Sequence, residues 1–462
     1  MIDRFTNMIR HEVKLDFAKD QGKLDLSYHS TGIGGVHPMA MPKPVVEGMK
    51  LLKPKLIRIF LQEFFFIYKD DGSFDWSALD AYMDAIVETG AKIMASICIK
   101  PHALYPIVDQ DIVMPNDVEK WQYIIKALVN RYSVERDYVS HWSVLNETNI
   151  GEWGGCPQHI VDPDDYYQFY KMTIPPILEV APHCQVGGPS YAGGFEGAAK
   201  YIARFAELCE QAGTQLDFVN YNAYLDDHRQ HARSAKMVRE AISGLKKPVD
   251  LYITELNVGL GGEPSVEEKP YSAKRASSLA ATLLALHEAG DLTGTFQYHI
   301  YDQFCDPRLF APFYAGHTSI MGFHWNDEPH RLGLFDLDGR PRPQFHMYDM
   351  MQKLEGQRYS VTTNNESLHV IGSRNGDEAL RVMIANFMPN GGQDAVLNFV
   401  ASGMPEGIYR MTVTRIDDEQ CYQTTSLKPT EARTTYIHKD YKCSVYAPAD
   451  SVVFVEWEKV VE

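Results

Sequence analysis

The sequence predicts a (β/α)8 TIM barrel with an appended C-terminal antiparallel β-sandwich. Between residues 23 and 355, eight short runs rich in Ile, Val, Phe and Tyr alternate with stretches of amphipathic helical periodicity. After about residue 356, apolar residues recur at every second position, and the pairs Asn-Asn, Asn-Gly and Gly-Gly separate these runs. Eight β-then-α units favour a closed barrel, since an open parallel sheet usually stops at about five or six strands.

The elements of the predicted barrel can be placed from their composition and their end signals. The eight runs are typical of parallel strands buried on both faces. They cover residues 23–30, 56–61, 92–100, 139–147, 185–190, 216–224, 251–257 and 294–302. Helix caps and terminal glycines place helices between them. These helices are predicted over 75–90, 117–132, 162–182, 196–213, 231–244, 273–290 and 343–356.

The same patterns divide the chain into three parts. Residues 1–22 form an N-terminal segment, 23–355 the catalytic barrel and 356–462 the sandwich domain. Within the first segment, residues 11–18 alternate between polar and apolar and are a candidate additional strand of the sandwich. The sandwich is expected to be either structural support or an oligomer contact, so a homo-oligomer is one further expectation.

Composition excludes several classes of function. The net charge of −17 argues against nucleic acid as a partner, because binding a polyanion needs clustered Lys and Arg. The seven cysteines show no zinc-type spacing, and we expect neither a metal nor an organic cofactor. No run of 18 apolar residues occurs, so no membrane span is predicted. The charged start lacks the apolar core of a signal peptide. A cytoplasmic location is therefore expected.

Two of the predicted barrel strands end in a glutamate. The fourth strand finishes with Asn146-Glu147, and the apolar run of the seventh finishes with Glu255. Active sites of α/β barrels lie at the carboxyl ends of the strands, where the fourth and seventh strands face each other across the mouth. A carboxylate directly after an apolar strand is costly to desolvate, which favours a catalytic role over a solvated loop charge.

Such a carboxyl pair suits the hydrolysis of glycosides, with carbohydrate as the substrate. One carboxyl must stay protonated to assist the departing oxygen, while the other is ionised and attacks the anomeric carbon. Burial and mutual repulsion would raise the pKa of the acid. A separation of about 5 Å between the carboxyls is typical of retaining enzymes and a wider one of inverting enzymes, so this point stays open.

These residues resemble clan A of the glycoside hydrolases. The appended sandwich and the segment WSVLNETNIGEWGG, followed by DYYQFYK, resemble family 39 within that clan, which holds β-xylosidases and α-L-iduronidases. The resemblance implies a retaining enzyme in which Glu147 is the general acid/base and Glu255 the nucleophile. It also implies that Asn146 holds the 2-hydroxyl of the sugar. Arg58, in the second strand, would position the nucleophile and keep it ionised.

The chain departs from the family pattern at two places. Family members usually have Asn-Glu-Pro, whereas Thr148 follows Glu147 here. Their sixth strand commonly ends with a histidine, and this chain has Asn222 and Tyr224 in that region. We expect Tyr224 to donate a hydrogen bond to the nucleophile and Asn222 to replace the histidine, although simple packing is an equal alternative for both residues.

Other polar and aromatic residues at strand ends are candidates for substrate contact. The substrate-binding candidates of this kind are His29, Tyr298, Trp153 and Trp325, with His102 and His299 in similar places. A lone histidine or tryptophan in a loop is more often structural. The loop 303–342 is long for a barrel, and we expect it to cover the sugar subsite. The GIGG segment at 32–35 is predicted to bring backbone close to the site.

Two rival functions and several sugars stay open. A metal-dependent amidohydrolase needs a His-x-His pair at the first strand, where His29 stands alone. A non-catalytic carbohydrate-binding barrel predicts the loss of one carboxylate, and both are present. Among sugars, a β-xylosidase-like exo-glycosidase acting on short oligosaccharides or glycosides comes first. α-L-Iduronidase, arabinosidase and β-galactosidase activities follow; a uronic acid would favour more basic residues than Arg58 and Lys100.

Overall fold

The computed structural model of the chain describes residues 9–24, 30–259, 272–316, 325–326, 331–421, 426–438 and 440–460. Its strands are β1 (Ile9–Lys23), β2 (Ser30–Gly32), β3 (Leu56–Gln62), β4 (Lys92–Cys98), β5 (Val139–Val144), β6 (Gln185–Ala192), β7 (Phe218–Tyr224), β8 (Asp250–Asn257), β9 (Gly294–Tyr298), β10 (Gln357–Thr363), β11 (Leu368–Asn375), β12 (Ala379–Asn386), β13 (Ala395–Ser402), β14 (Gly407–Ile416), β15 (Pro429–Ile437), β16 (Asp440–Ala447) and β17 (Ser451–Lys459). Its α-helices are α1 (Lys43–Leu52), α2 (Ser77–Val87), α3 (Val118–Val129), α4 (Pro163–Val180), α5 (Phe195–Ala212), α6 (His228–Ala241), α7 (Ala273–Ala289) and α8 (Pro343–Lys353).

Strands β2 to β9 form a closed parallel barrel, so the predicted fold class is confirmed. Each strand pairs with the next along the chain, and β9 pairs with β2 to close the ring. Strand β3 is buried at every position except its partly buried first residue, because helices cover its outer face and side chains fill the barrel interior. This burial on both faces explains why the barrel strands are continuous apolar runs.

The predicted helices are confirmed to within a few residues at their ends, and the structure adds helix α1. Its buried residues Val45, Val46, Met49 and Leu52 form one apolar face of the helix. The prolines that flank this stretch are atypical of a helix, so the sequence did not predict it. Gly48 lies in this helix against the side chain of Phe335, and a Cβ atom there would come within 2.5 Å of that ring. The glycine therefore permits a close approach of α1 to the loop before α8.

Three predicted strands have bounds that differ by three residues or more in the structure. The eighth barrel strand, predicted over 294–302, ends at Tyr298 as β9. The fourth barrel strand ends at Val144 and not at Glu147, because Leu145 and Glu147 have φ angles of 61° and 49°, which no strand accommodates. The first barrel strand, β2, begins only at Ser30, and Lys23 is the last residue of β1. Residues 25–29 lie outside the described residues.

The remaining strands form a nine-stranded sheet in the order β15-β14-β17-β12-β11-β10-β1-β13-β16. Strand β1 pairs antiparallel with β10 and parallel with β13, and the other pairs in this sheet are antiparallel. The ring centroids of Phe399 on β13 and Trp457 on β17 are 6.0 Å apart, although these strands are not neighbours. The sheet thus folds over a shared core and gives the predicted sandwich. The division of the chain at residues 22/23 and 355/356 stays a prediction.

The sandwich packs against helix α7 of the barrel. This helix is buried at most positions, and its side chains share one hydrophobic cluster with Ile371 and Phe454 of the sandwich. Near this contact the rings of His228, at the start of α6, and His369, on β11, are 4.3 Å apart. A helix covered on both sides by barrel and sandwich explains the weak amphipathic pattern of 273–290.

Among the helices that the structure describes, we find none with the length and apolar character needed to span a lipid bilayer.

The buried histidine of α6, His231, predicts a loss of stability in acid. Its Nε2 lies 3.1 Å from the Leu225 carbonyl oxygen, and burial lowers its pKa to about 4. An unfolded chain has a histidine pKa of about 6.5, so the unfolded state binds the proton first as the pH falls. The contribution to stability is therefore complete above pH 6.5 and is lost between about pH 6.5 and 4, with a cost of about 2 kcal/mol at pH 5.

His231→Gln keeps a donor near Nε2 but cannot be protonated. We expect the drop in Tm between pH 7.5 and pH 5 to be smaller in this variant by roughly 2 °C, which calorimetry would measure. His183→Gln changes an exposed histidine and should follow the wild type. An equal drop in His231→Gln and wild type would contradict the assignment.

Candidate active site

A cavity of about 620 Å³ opens at the carboxyl ends of the barrel strands. The predicted residues that line it are Asn146, Glu147, Trp153, Tyr224, Glu255, Tyr298, His299 and Trp325. Arg58 and Asn222 lie directly behind this layer and hydrogen-bond to it. His29 lies outside the described residues, and His102 lines a different cavity.

The turn after β5 presents Glu147 to the cavity. Glu147 has a φ of 49°, a left-handed conformation that is unfavourable for a residue with a Cβ atom. Its own N–H donates to the Ser190 carbonyl at 2.9 Å, and its carbonyl accepts the N–H groups of Ile150 and Gly151, each at 3.0 Å. Gly154 leaves room for the side chain, since a Cβ atom there would lie 2.3 Å from Oε2 of Glu147.

Arg58 is a fully buried guanidinium at the centre of the site. Its five N–H groups donate to Ser96 Oγ (3.2 Å), Thr254 O (3.4 Å), Glu255 Oε1 (2.8 Å), Asn146 Oδ1 (2.7 Å) and Ser190 Oγ (3.1 Å). The guanidinium carbon also lies 4.5 Å from the ring centroid of Phe60. Every donor of this cation is satisfied, so its position and charge are both fixed.

Glu255, on β8, is the carboxyl held by charge and by strong donors. Oε1 receives Arg58, and Oε2 accepts the Tyr224 hydroxyl at 2.5 Å. Burial raises the pKa of Glu255, and the Arg58 cation together with the Tyr224 hydroxyl pulls that pKa back down. The pKa of Glu255 stays above its usual value, and Arg58 and Tyr224 are the contacts that favour its ionised form.

Glu147 receives a neutral donor and no cation. Asn222 donates to Oε1 at 2.8 Å, while Oε2 has no hydrogen-bond partner within the described part of the chain. Burial raises the pKa of Glu147 well above its usual range, and the negative charge of Glu255 raises it further. Of the two carboxyls, Glu147 has the surroundings that favour the protonated form more strongly, since it contacts no cation directly.

Asn222 hydrogen-bonds to Glu147 and is the pairing partner of Glu255 in the barrel sheet. It lies opposite Glu255 in the pairing of β7 with β8. Its Oδ1 accepts the Thr254 hydroxyl at 2.8 Å, which orients the amide so that Nδ2 faces Glu147 and Asn146 Oδ1. The amide of Asn222 thus makes the donor contact to Glu147.

Trp325 covers one side of the cavity. Its ring centroid lies 4.5 Å from that of His299 and 5.7 Å from that of Tyr298. Gly34 lies beneath it, and a Cβ atom there would come within 2.3 Å of the indole. The GIGG segment therefore brings backbone close to the site, and the loop 303–342 contributes a wall of the cavity through this tryptophan.

Sequence reasoning missed several residues of the cavity wall, namely Phe60, Gln62, Gln110 and His159. Phe60 lies two residues after Arg58, so the period of a strand places both on one face, and this signal could have found it. Gln110 and His159 lie on loops, where sequence carries no periodic signal.

Within the ranges that the structure describes, no group of three or more His, Cys, Asp or Glu residues is placed to hold a metal ion.

Comparison with known proteins agrees with this geometry. A β-xylosidase of Caldicellulosiruptor saccharolyticus is 22% identical over 381 residues, covering 76% of this chain and 72% of that protein. A β-xylosidase of Geobacillus stearothermophilus is 25% identical over 274 residues, covering 53% of this chain and 48% of that one. The crystal structure of a monomeric β-xylosidase from Caulobacter crescentus shares the fold, with a TM-score of 0.75 at 18% identity over 97% of this chain and 100% of that chain.

The family assignment rests on a match along most of the chain. Residues 11–426 match the family described as Glycosyl hydrolases family 39, which covers the barrel and most of the sandwich strands. This confirms the resemblance inferred from the strand-end residues. The chain belongs to family 39 of the glycosyl hydrolases.

Proposed function

We propose that this glycoside hydrolase is a retaining, β-xylosidase-like exo-glycosidase that acts on short oligosaccharides or glycosides. Glu255 is the nucleophile and Glu147 the general acid/base. The observation that carries the proposal is the contrast between two buried carboxyls in one cavity. Glu255 accepts hydrogen bonds from a cation and a hydroxyl group, whereas among the described residues the Glu147 side chain accepts one only from the neutral amide of Asn222.

In the first step, ionised Glu255 attacks the anomeric carbon and forms a glycosyl ester. Glu147 transfers its proton from Oε2 to the departing glycosidic oxygen, so that the leaving group departs as an alcohol. Arg58 holds Oε1 of the nucleophile at 2.8 Å and the Tyr224 hydroxyl holds Oε2 at 2.5 Å, so both contacts orient the carboxylate for the attack.

The second step follows from the electrostatic coupling of the pair. Once Glu255 is esterified, its negative charge no longer raises the pKa of Glu147. The lower pKa keeps Glu147 ionised after it has given up its proton, so its carboxylate can take a proton from the water that attacks the ester. One residue thus acts as acid and then as base without moving, because the charge of its neighbour changes between the steps.

Asn146 is suited to hold a sugar hydroxyl. Its Oδ1 accepts from Arg58 and Asn222, and one N–H of its amide donates to the Gly154 carbonyl at 3.1 Å. The second N–H of Nδ2 stays available for the 2-hydroxyl of the sugar. An amide fixed at three points would strengthen this contact at the transition state without reorganising.

The lining of the cavity supports a neutral sugar. No Lys or Arg side chain is among the described residues that line it, and a uronic acid would leave its carboxylate without a cation there. Aromatic walls from Phe60, Tyr298 and Trp325 suit the C–H faces of a sugar ring. Together with the two named β-xylosidases that the chain resembles, this favours a β-xyloside over an α-L-iduronide. The cytoplasmic location and a homo-oligomer stay predictions.

The first prediction separates the roles of the carboxyls by the product that azide gives. Glu255→Ala should lose roughly 10⁴-fold or more of kcat on an aryl β-xyloside. Azide in the vacated space should restore turnover of a dinitrophenyl β-xyloside and give the α-xylosyl azide, detected by NMR. Glu196→Ala, an exposed change of the same type, should behave as wild type. Full activity of Glu255→Ala would sink the assignment of the nucleophile.

The second prediction uses leaving groups of different acidity. Glu147→Ala cannot protonate the departing oxygen, so kcat/KM should fall on the order of 10³-fold for a phenyl xyloside and much less for a dinitrophenyl xyloside. Azide should attack the accumulated glycosyl enzyme and give the β-xylosyl azide, because the configuration is inverted twice. Equal losses for both substrates would argue against Glu147 as the acid.

The third prediction concerns the pH profile. Tyr224→Phe removes a donor to ionised Glu255, so the pKa of that carboxyl should rise. Activity requires Glu255 without its proton and is lost as the pH falls through this pKa. The acidic limb of kcat/KM should therefore move up by roughly one pH unit, with a roughly tenfold loss at the optimum. Tyr123→Phe alters an exposed tyrosine and serves as the control; an unmoved acidic limb in Tyr224→Phe would contradict the contact.

A further inference from the structure

A second cavity of about 390 Å³ adjoins the catalytic cavity at the mouth of the barrel. Consecutive or nearly consecutive residues line the two spaces. Gln62 and Gln110 line the catalytic cavity, whereas Glu63 and Val108 line the second cavity. The two cavities are therefore neighbours at the ends of β3 and β4.

The walls of the second cavity are apolar and open to solvent. Phe66, Ile107 and Val108 are 43%, 62% and 39% exposed, and all three line this cavity together with Phe313. A φ of 47° at Phe66 ends the short 3-10 helix Glu63–Phe65 and places its ring on this rim. Clustered exposed apolar side chains around a concave surface are typical of a ligand site, and aromatic rings suit the C–H faces of sugars.

The floor of the second cavity is polar and buried. Glu63 is 6% exposed, and its Oε2 accepts the backbone N–H of Lys100 at 2.8 Å. Its other oxygen has no partner among the described residues, and burial raises the pKa of this carboxyl to about 8. A protonated carboxyl at neutral pH can donate to a hydroxyl group and accept from another.

Lys100 supplies a second polar group on the same floor. Its Nζ donates to the carbonyls of Asp109 at 2.6 Å and Pro157 at 2.8 Å, which fixes the position of the ammonium group. An ammonium group has three N–H donors, and the third has no hydrogen-bond acceptor among the described residues, with the Tyr105 ring centroid 5.2 Å from Nζ. The floor therefore offers one fixed donor and one group that is both donor and acceptor.

The other charges of the second cavity are paired, which disfavours an anion as its ligand. Lys69 lies 3.4 Å from Asp75, and His102 lies 3.2 Å from Asp70. The chain as a whole carries a net charge of −17. A neutral molecule with hydroxyl groups and apolar faces fits these walls and this floor better than a phosphate or a carboxylate does.

We propose that the second cavity is a sugar subsite for the leaving-group end of an oligosaccharide whose terminal residue occupies the catalytic cavity. The inference rests on the proposed function and adds the length of the substrate to it. Residues at and after the ends of β3 and β4 line both cavities, so the second cavity lies next to the catalytic cavity along these segments. Sugars bound beyond the cleaved bond would contribute binding energy to the transition state, so kcat/KM increases with chain length.

The test compares β-linked xylo-oligosaccharides of two to six units with an aryl β-xyloside as the reference. In the wild type, the ratio of kcat/KM for the pentasaccharide to that for the disaccharide should be at least about fivefold. Phe66→Ala and Ile107→Ala should lose most of this increase in kcat/KM, because each removes an exposed side chain that lines the second cavity. Leu51→Ala removes an equally exposed apolar side chain far from it and should keep the gain.

A titration separates the subsite from the catalytic assignment. Glu255→Ala protein should bind the pentasaccharide at least about fivefold more tightly than the disaccharide, and adding Phe66→Ala should abolish the difference. A length-dependent affinity without any turnover by the wild type would keep the subsite and overturn the proposed function. Turnover of the aryl xyloside, with an affinity that is independent of length or of Phe66, would overturn the subsite and leave the proposed function standing.

Discussion

The site depends on one buried cation. Arg58 lies inside the barrel, where an uncompensated charge would be strongly unfavourable, and it is tolerated because Glu255 balances it and five acceptors satisfy its N–H groups. One positive charge can balance one carboxylate only. With Glu147 and Glu255 both ionised, the buried cluster would carry a net negative charge, so the raised pKa of Glu147 follows from the number of cations as much as from burial.

The arrangement requires a strained backbone at the ends of two barrel strands. Leu145, Glu147 and Ser190 have positive φ angles, and the Glu147 N–H donates to the Ser190 carbonyl across the two strand ends. Rigid neighbours make such strain tolerable, because β8 and β7 are locked in register and the helix behind the last strands, α7, is packed between barrel and sandwich. The sandwich thereby supports the site without contributing a side chain to its described lining.

Recognition of substrate is divided between rigid and variable parts of the fold. The groups nearest the reaction, Arg58, Asn222 and Glu255, lie on strands, where their positions are set by the barrel register. The walls of both cavities come largely from loops, including the segment with Ile107 and Gln110 after β4. Such a division allows the same chemistry to serve different sugars and chain lengths.

The sequence by itself determined the fold class, the family and the strand ends that carry Glu147 and Glu255. These features depend on local periodicity and on the rule that parallel strands end at one face, so neighbouring residues suffice to predict them. Only the tertiary structure decided that β1 pairs with β13, almost 400 residues later, and that the fourth barrel strand stops at Val144. The tertiary structure was also needed to show the different surroundings of the two carboxyls and the second cavity. Both features arise where side chains from distant segments of the chain meet in space.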